Sequence, residues 1–185
     1  MRRSTFGVLL VLVVLAAVGV AAVREGVFSD ATTAAADRGG LPATATGPFP
    51  VVRVVDGDTV IVSEAGRDVR VRLLGIDTPE SVKPDSPVEC FGPEAAARTT
   101  ELLAGTSVWL EADPTQDAVD QYGRTLAYVW LDEDTLVNEV LVAEGYAREY
   151  TYDEPGTHQR SLIEAEARAK DNEAGLWSPT SCSGG

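Results

Sequence analysis

Between residues 50 and 74 the chain alternates β-branched runs with turn chemistry, and no other feature constrains the fold as strongly. Residues 50–55 (PVVRVV), 59–63 (TVIVS) and 68–74 (DVRVRLL) carry strand patterning. Asp56-Gly57-Asp58 and Ala65-Gly66 separate them, and Asp and Gly tolerate the backbone angles of tight turns. Three short strands with such brief connections predict an antiparallel meander.

The remainder of the chain supplies two further strands and the helices. Residues 77–91 lack periodicity and include Pro79, Pro84 and Pro87, which predicts a loop. Gly92-Pro93-Glu94 places proline at a first helical position, with an acid in the first turn, and the helix runs to about Leu103 before Gly105. Residues 107–112 and 125–131 read as strands, separated by a polar, acidic loop. Residues 137–144 form a short helix that stops at Gly145. A longer helix spans residues 157–170, with Thr157 as its N-cap, and Gly175-Leu176-Trp177 returns an apolar anchor to the body. Five strands with a helix between the third and fourth predict an α+β, mainly β, fold: a five-stranded OB-fold Greek-key barrel with about three helices.

The N-terminus stands apart from this domain. Arg2 and Arg3 precede residues 6–23, which are uncharged and almost wholly apolar, the pattern of an export signal. The run also reaches the roughly 18 residues needed to span a bilayer, so residues 1–23 read equally as a cleaved signal peptide or an uncleaved membrane anchor. Either places the rest outside the cytoplasm, secreted or held on the outer face of the membrane. Residues 24–47 are Ala/Thr/Gly-rich and read as a flexible linker, leaving residues 48–182 as the folded domain. Cys90 and Cys182 both fall in the exported part, where a disulfide between them is chemically allowed.

Charge is the unusual bulk property. There are 29 acidic against 15 basic residues, and Lys83 and Lys170 are the only lysines. A nucleic-acid binder is ordinarily basic. Such acidity implies either that the domain does not meet nucleic acid, or that it works in high salt, where screening shortens electrostatic reach. Scarce lysine and abundant Ala and Val accord with a halophilic surface.

Chemistry concentrates where strands end. VRLLGIDTPES, residues 71–81, runs from a strand into a turn bearing Asp77 and Glu80, while Asp58 follows the first turn of the meander. Pairing of the strands would bring Asp58 and Asp77 to one mouth of the barrel. Two carboxylates with a backbone carbonyl make a hard-oxygen site suited to Ca²⁺. His158 is the only histidine and the cysteines are far apart, so no zinc set is offered. Arg72 alternates with the core-facing Val71 and Leu73 and so points to that mouth, since an unpaired guanidinium does not sit in a core. Arg124 opens the fifth strand. Paired guanidinium groups suit phosphate and the charge that develops on it. With a divalent ion, and with Glu80 to orient or deprotonate water, these are the parts of phosphodiester hydrolysis. Taken singly, each acid is also ordinary turn chemistry.

Six segments occur together in one order: DGDT (56–59), RLLGIDTPE (72–80), FGPEA (91–95), YGRTLAY (122–128), VNEVLVAEGYA (137–147) and AGLW (174–177). In this the chain resembles the staphylococcal nuclease, or thermonuclease, family across essentially the whole exported domain. The resemblance implies a Ca²⁺-dependent OB-fold endonuclease that cuts DNA and RNA, leaves 3′-phosphates and acts as a monomer. It implies Asp58 and Asp77 as metal ligands with the carbonyl of Thr78, Arg72, Glu80 and Arg124 as catalytic residues, and Tyr122, Tyr150 and Tyr152 as the lining of a nucleotide pocket. One departure stands out: Gln121, flanked by Asp117 and Asp120, replaces a lysine of the family, so the basic rim is largely missing.

Two other classes compete. An OB-fold binding module without turnover would lack members of the catalytic set, all of which are present here. A calcium-binding surface protein would leave the paired arginines unexplained. His158 reads as a surface or helix-capping residue, and Trp109, Trp130 and Trp177 read as packing residues.

Overall fold

The computed structural model describes residues 40–81, 88–152 and 154–182. The expected leader at residues 1–23 and the first part of the expected linker lie outside the described residues. No described helix is long and apolar enough to cross a membrane.

Five strands close into a barrel: β1 (Ala45–Asp56), β2 (Thr59–Glu64), β3 (Arg67–Leu73), β5 (Ser107–Glu111) and β6 (Thr125–Trp130). Their order around the barrel is β1-β2-β3-β6-β5, with β3 and β6 the parallel pair. The predicted OB-type α+β architecture is thus observed, with helices α1 (Gly92–Leu103), α2 (Val137–Ala143) and α3 (Gln159–Asp171). A 3-10 turn, Gly175–Trp177, follows α3.

β1 begins at Ala45, ahead of the strand start read at residue 50, because its two halves serve different partners. Ala45 pairs with Glu111 and Phe49 with Val108 on β5, whereas Val51 pairs with Val62 and Asp56 with Thr59 on β2. The register shifts between Thr46 and Phe49. Gly47 lies in that interval with φ 141°, and a Cβ there would meet the Val108 carbonyl oxygen at 2.8 Å. Only glycine fits such a backbone and such a gap. A local period cannot show that one strand feeds two neighbours.

Side-chain alternation fills the barrel. Val60, Val62, Val71, Leu73, Val108 and Val129 are fully or almost fully buried, and truncating Leu73 to alanine would cost about 2–5 kcal/mol. Tyr128 is buried as well, although it alternates with Val129, with the His158 ring edge-on to it just ahead of α3. A Cβ on Gly75 would meet Leu162 of α3 at 2.7 Å and the Tyr128 ring at 3.6 Å. Gly75, at φ 71°, turns the chain from β3 into a two-residue strand β4 (Ile76–Asp77), which pairs with β7 (Arg148–Glu149). Neither short strand is visible as a sequence period.

Two polar residues tie the layers together. Asn138 of α2 is fully buried; it accepts from the Val129 N–H at 2.9 Å and donates to the Leu74 carbonyl at 2.8 Å. His158 is neither a plain surface residue nor a side-chain cap. It lies 2.8 Å from the buried Glu111 carboxylate, which also accepts from the Trp130 indole at 2.8 Å, and it packs edge-on to Tyr128. A disulfide joins Cys90 to Cys182 across a sequence separation of 92. A loop of that size corresponds to about 4–5 kcal/mol in the chain-entropy description.

Candidate active site

The turn after β1 is built around Asp58. A Cβ at Gly57 would strike the Thr78 side chain at 2.7 Å, so the turn lies directly against the segment after β4. Thr99 of α1 donates its hydroxyl to the Gly57 carbonyl at 2.7 Å and fixes the turn from behind. Asp58 is buried; one carboxylate oxygen accepts from the Thr59 hydroxyl, and the other accepts from both the backbone N–H and the hydroxyl of Thr78, each at 3.1 Å. Twenty residues of sequence separate Asp58 from Thr78, and the fold closes the gap.

Arg72 then joins the two acids. Its Nη2 lies 3.1 Å from Asp58 Oδ2 and 3.1 Å from Asp77 Oδ1. Its Nη1 donates to the carbonyl oxygens of Leu73 and Ile76. Alternation with Val71 and Leu73 sends this side chain out of the core, and the β3–β4 turn wraps carbonyls around it. Four acceptors hold one planar cation, a geometry that suits arginine and not lysine.

Negative charge remains in excess. Asp56 accepts from the Asp58 N–H, and burial, followed by repulsion from Asp58, pushes its carboxyl up to about 6. Burial likewise raises Asp77, with the Asp58 charge adding to it, although Arg72 pulls the other way. Among the described residues no group of three or more His, Cys, Asp or Glu side chains is arranged to hold a metal ion. What is present is an oxygen-only set, Asp58 and Asp77 with adjacent backbone carbonyls. That chemistry fits a hard divalent cation such as Ca²⁺ and not a soft one.

Glu80 follows Asp77 and Thr78 on the same turn. The Glu80 carbonyl accepts from the Glu89 N–H at 2.8 Å, and the Glu80 N–H donates to a Glu89 carboxylate oxygen at 3.2 Å. Gly92, at the start of α1, packs against the Glu80 carbonyl.

Arg124 is placed by the parallel pairing of β3 with β6. Arg72 registers with Leu126, so alternation puts Arg124 on the same outer face, one strand over. Asp120 holds it: one oxygen accepts from the backbone N–H groups of Tyr122 and Arg124, both at 2.9 Å, and the other lies 2.6 Å from Arg124 Nε. Burial would raise the Asp120 carboxyl, yet these hydrogen bonds outweigh it and keep it below the usual range. Tyr122 is exposed, with the Arg124 guanidinium 5.4 Å from its ring centroid. Tyr150 donates its N–H to the Gly75 carbonyl at 2.9 Å, which sets it beside the β4 turn, and its ring is 6.3 Å from that of Tyr152. Asp58, Arg72, Asp77 and Thr78 therefore form one bonded cluster, with Glu80 continuing its chain and Tyr150 alongside. Arg124 and Tyr122 form a second unit on the neighbouring strand.

A family model described as staphylococcal nuclease homologue matches residues 70–179, which hold Arg72, Asp77, Glu80 and Arg124. Thermonuclease of Staphylococcus hyicus is 36% identical over 179 residues, 96% of this chain and 99% of that protein. The chain belongs to the staphylococcal nuclease family. Thermonuclease of Staphylococcus intermedius is 45% identical over 130 residues, 70% of this chain and 75% of that protein. Endonuclease YncB of Bacillus subtilis (strain 168) is 41% identical over 128 residues, 68% of this chain and 59% of that protein. Membership makes the chain a hydrolase of the nuclease class.

Several residues of this family member leave no clear mark in the sequence. Asp56 looks like a turn former and proves to accept from the Asp58 N–H, with its carboxyl raised by burial. Asp120 looks like part of an acidic rim and proves to be the seat of Arg124; its place four residues ahead of that arginine is the available signal. Thr99 sits on an otherwise unremarked helix face, and only packing reveals its bond to the turn.

Proposed function

We propose that this chain is an exported Ca²⁺-dependent endonuclease that hydrolyses phosphodiester bonds of DNA and RNA and leaves 3′-phosphates. The observation that carries the reading is the single Arg72 nitrogen placed 3.1 Å from both Asp58 and Asp77, with Glu80 on the same turn. Asp58, Asp77 and the Thr78 carbonyl would hold Ca²⁺, which when bound supplies positive charge to a phosphate and acidifies a water. Arg72 and Arg124 bind the phosphate oxygens and stabilise the charge that grows on them during in-line attack. Glu80 orients the attacking water and takes its proton. As the new P–O bond forms, the bond to the 5′ oxygen breaks and that oxygen takes a proton from solvent, giving a 3′-phosphate and a 5′-hydroxyl. Tyr122, Tyr150 and Tyr152 offer exposed rings for base stacking.

Acidity and export complete the proposal. An acidic surface repels phosphate chains in dilute buffer, and the scarcity of lysine supports work in concentrated salt. Residues 1–23 serve as signal peptide or anchor and the residues from 24 up to β1 as spacer; the barrel with its helices, Ala45 to Cys182, is the catalytic domain, active as a monomer. A disulfide in the domain accords with an oxidising compartment.

The test is cleavage of single-stranded DNA and RNA by the purified protein, from low to molar salt, with Ca²⁺ or chelator. Calcium-dependent cleavage that Glu80→Gln and Arg72→Ala both abolish is expected, with 3′-phosphate ends. Binding without cleavage would point to a non-turnover OB module, and best activity in dilute buffer would remove the halophilic part.

A further inference from the structure

Glu80 sits where the chain leaves the barrel, past the last strand pairing that could hold it. A residue asked to place a water needs its backbone fixed to a fraction of an ångström. What fixes it here comes from outside the barrel. Glu89 grips the Glu80 backbone on both sides, accepting from its N–H and donating to its carbonyl. Gly92 closes the same turn, its N–H donating to the Glu89 carbonyl at 3.1 Å while its own backbone packs on Glu80. Glu89 is exposed, so these bonds alone would compete with water.

Cys90, the next residue, is tied to Cys182 of the C-terminal tail. That tail is itself anchored. Leu176 donates its N–H to the Gly145 carbonyl at 2.8 Å. A Cβ at Gly145 would lie only 2.2 Å from the Ala174 carbonyl oxygen. The Trp177 ring carries Lys170, 4.4 Å from its centroid, and Arg148, 5.7 Å away. Arg148 in turn registers with Asp77 across the β4–β7 pair. Phe91 adds a ring contact with Tyr146, centroids 5.4 Å apart.

We infer that Glu89 and the Cys90–Cys182 disulfide are positioning residues for Glu80, passing the rigidity of the anchored tail to the segment that places the attacking water. This rests on the reading of Glu80 as the residue that handles the water proton. The bridge is thereby more than a chain staple: it acts on the turnover number and leaves substrate binding to the two arginines.

The experiment compares the full chain with the Cys90→Ser/Cys182→Ser double variant and with Glu89→Ala and Glu89→Gln, in Ca²⁺ and a short DNA substrate. Expected is a fall in kcat of about 10- to 100-fold for the double variant and for Glu89→Ala. KM should stay within about twofold and Glu89→Gln should recover part of the loss, since its amide oxygen still accepts. Amide exchange at Glu80 should quicken in the double variant. A lowered Tm with unchanged kcat and unchanged Glu80 exchange would overturn the inference and leave a structural staple. Should the double variant fail to fold, Glu89→Ala with the bridge intact decides: a parental kcat there overturns the inference, and a reduced one supports it. If the oxidised parent does not cleave at all, the nuclease reading fails, and the exchange at Glu80 still decides whether the bridge orders that segment.

Discussion

A Cβ placed on Gly92 would lie 2.5 Å from the carbonyl oxygen of Glu80. The helix that begins at Gly92 and the turn that carries the candidate general base are therefore in backbone contact, and glycine is the residue that permits it. Gly92→Ala is expected to destabilise the protein by about 1–3 kcal/mol through overpacking and to lower kcat by displacing Glu80. Thermal unfolding and single-turnover cleavage check this; an alanine variant with parental kcat would show that the contact does not matter to chemistry.

Arg72 meets two carboxylates and two backbone carbonyls at once. Lysine keeps the charge but cannot span four acceptors with one ammonium. Arg72→Lys is expected to lose on the order of 100-fold in kcat and about 1–2 kcal/mol of stability, as for lost buried hydrogen bonds. Activity within about threefold of the parent would contradict the bridging role.

Asp120 serves as the seat of Arg124. Asp120→Asn replaces an oxygen that receives Nε with an amide that donates, or gives up the two backbone bonds instead. A loss of about tenfold in kcat/KM is expected, with little added effect once Arg124 is alanine, since the two act as one unit. A double-mutant cycle reads this directly, and additive losses would refute it.

The raised Asp56 carboxyl predicts how stability changes with pH. Its folded value, about 6, exceeds the ordinary 3.8, so the folded state binds the extra proton and is favoured below about pH 4. That advantage fades as pH rises through about 6. Without Ca²⁺, Asp56→Asn should raise Tm near neutrality more than in mild acid close to the ordinary carboxylate range, and added Ca²⁺ should shrink the difference. Melting curves under the two conditions, with and without chelator, decide it.

Asp113 predicts the opposite sign. Burial would raise it, but hydrogen bonds from the Thr157 and Thr115 N–H groups, the Thr115 hydroxyl and Tyr128 keep it below the usual range. Its stabilisation is present above the ordinary carboxylate range and disappears as pH falls through the folded value. Asp113→Asn is expected to cost about 2–3 kcal/mol near neutrality and to flatten the acid end of the stability curve. A variant as acid-sensitive as the parent would show that the sensitivity lies elsewhere.

What the chain alone determined follows from short-range physics. Alternation of Val71 and Leu73 around Arg72 sets one side in and the other out; Gly66 and Gly105 mark turns whose positive φ few other residues adopt. Those local rules made the five barrel strands, the three helices and the acids at strand ends legible. Tertiary structure decided everything that depends on approach between distant segments. The split of β1 between β2 and β5, the two-residue β4–β7 pair, the Asn138 clasp and the hold of Glu89 on Glu80 leave no periodic trace. Each is a hydrogen bond or a contact that exists only once the barrel has closed. The convergence of Asp58, Arg72 and Asp77 is of the same kind: sequence supplied the groups, and chain closure supplied the 3.1 Å distances that make them one site.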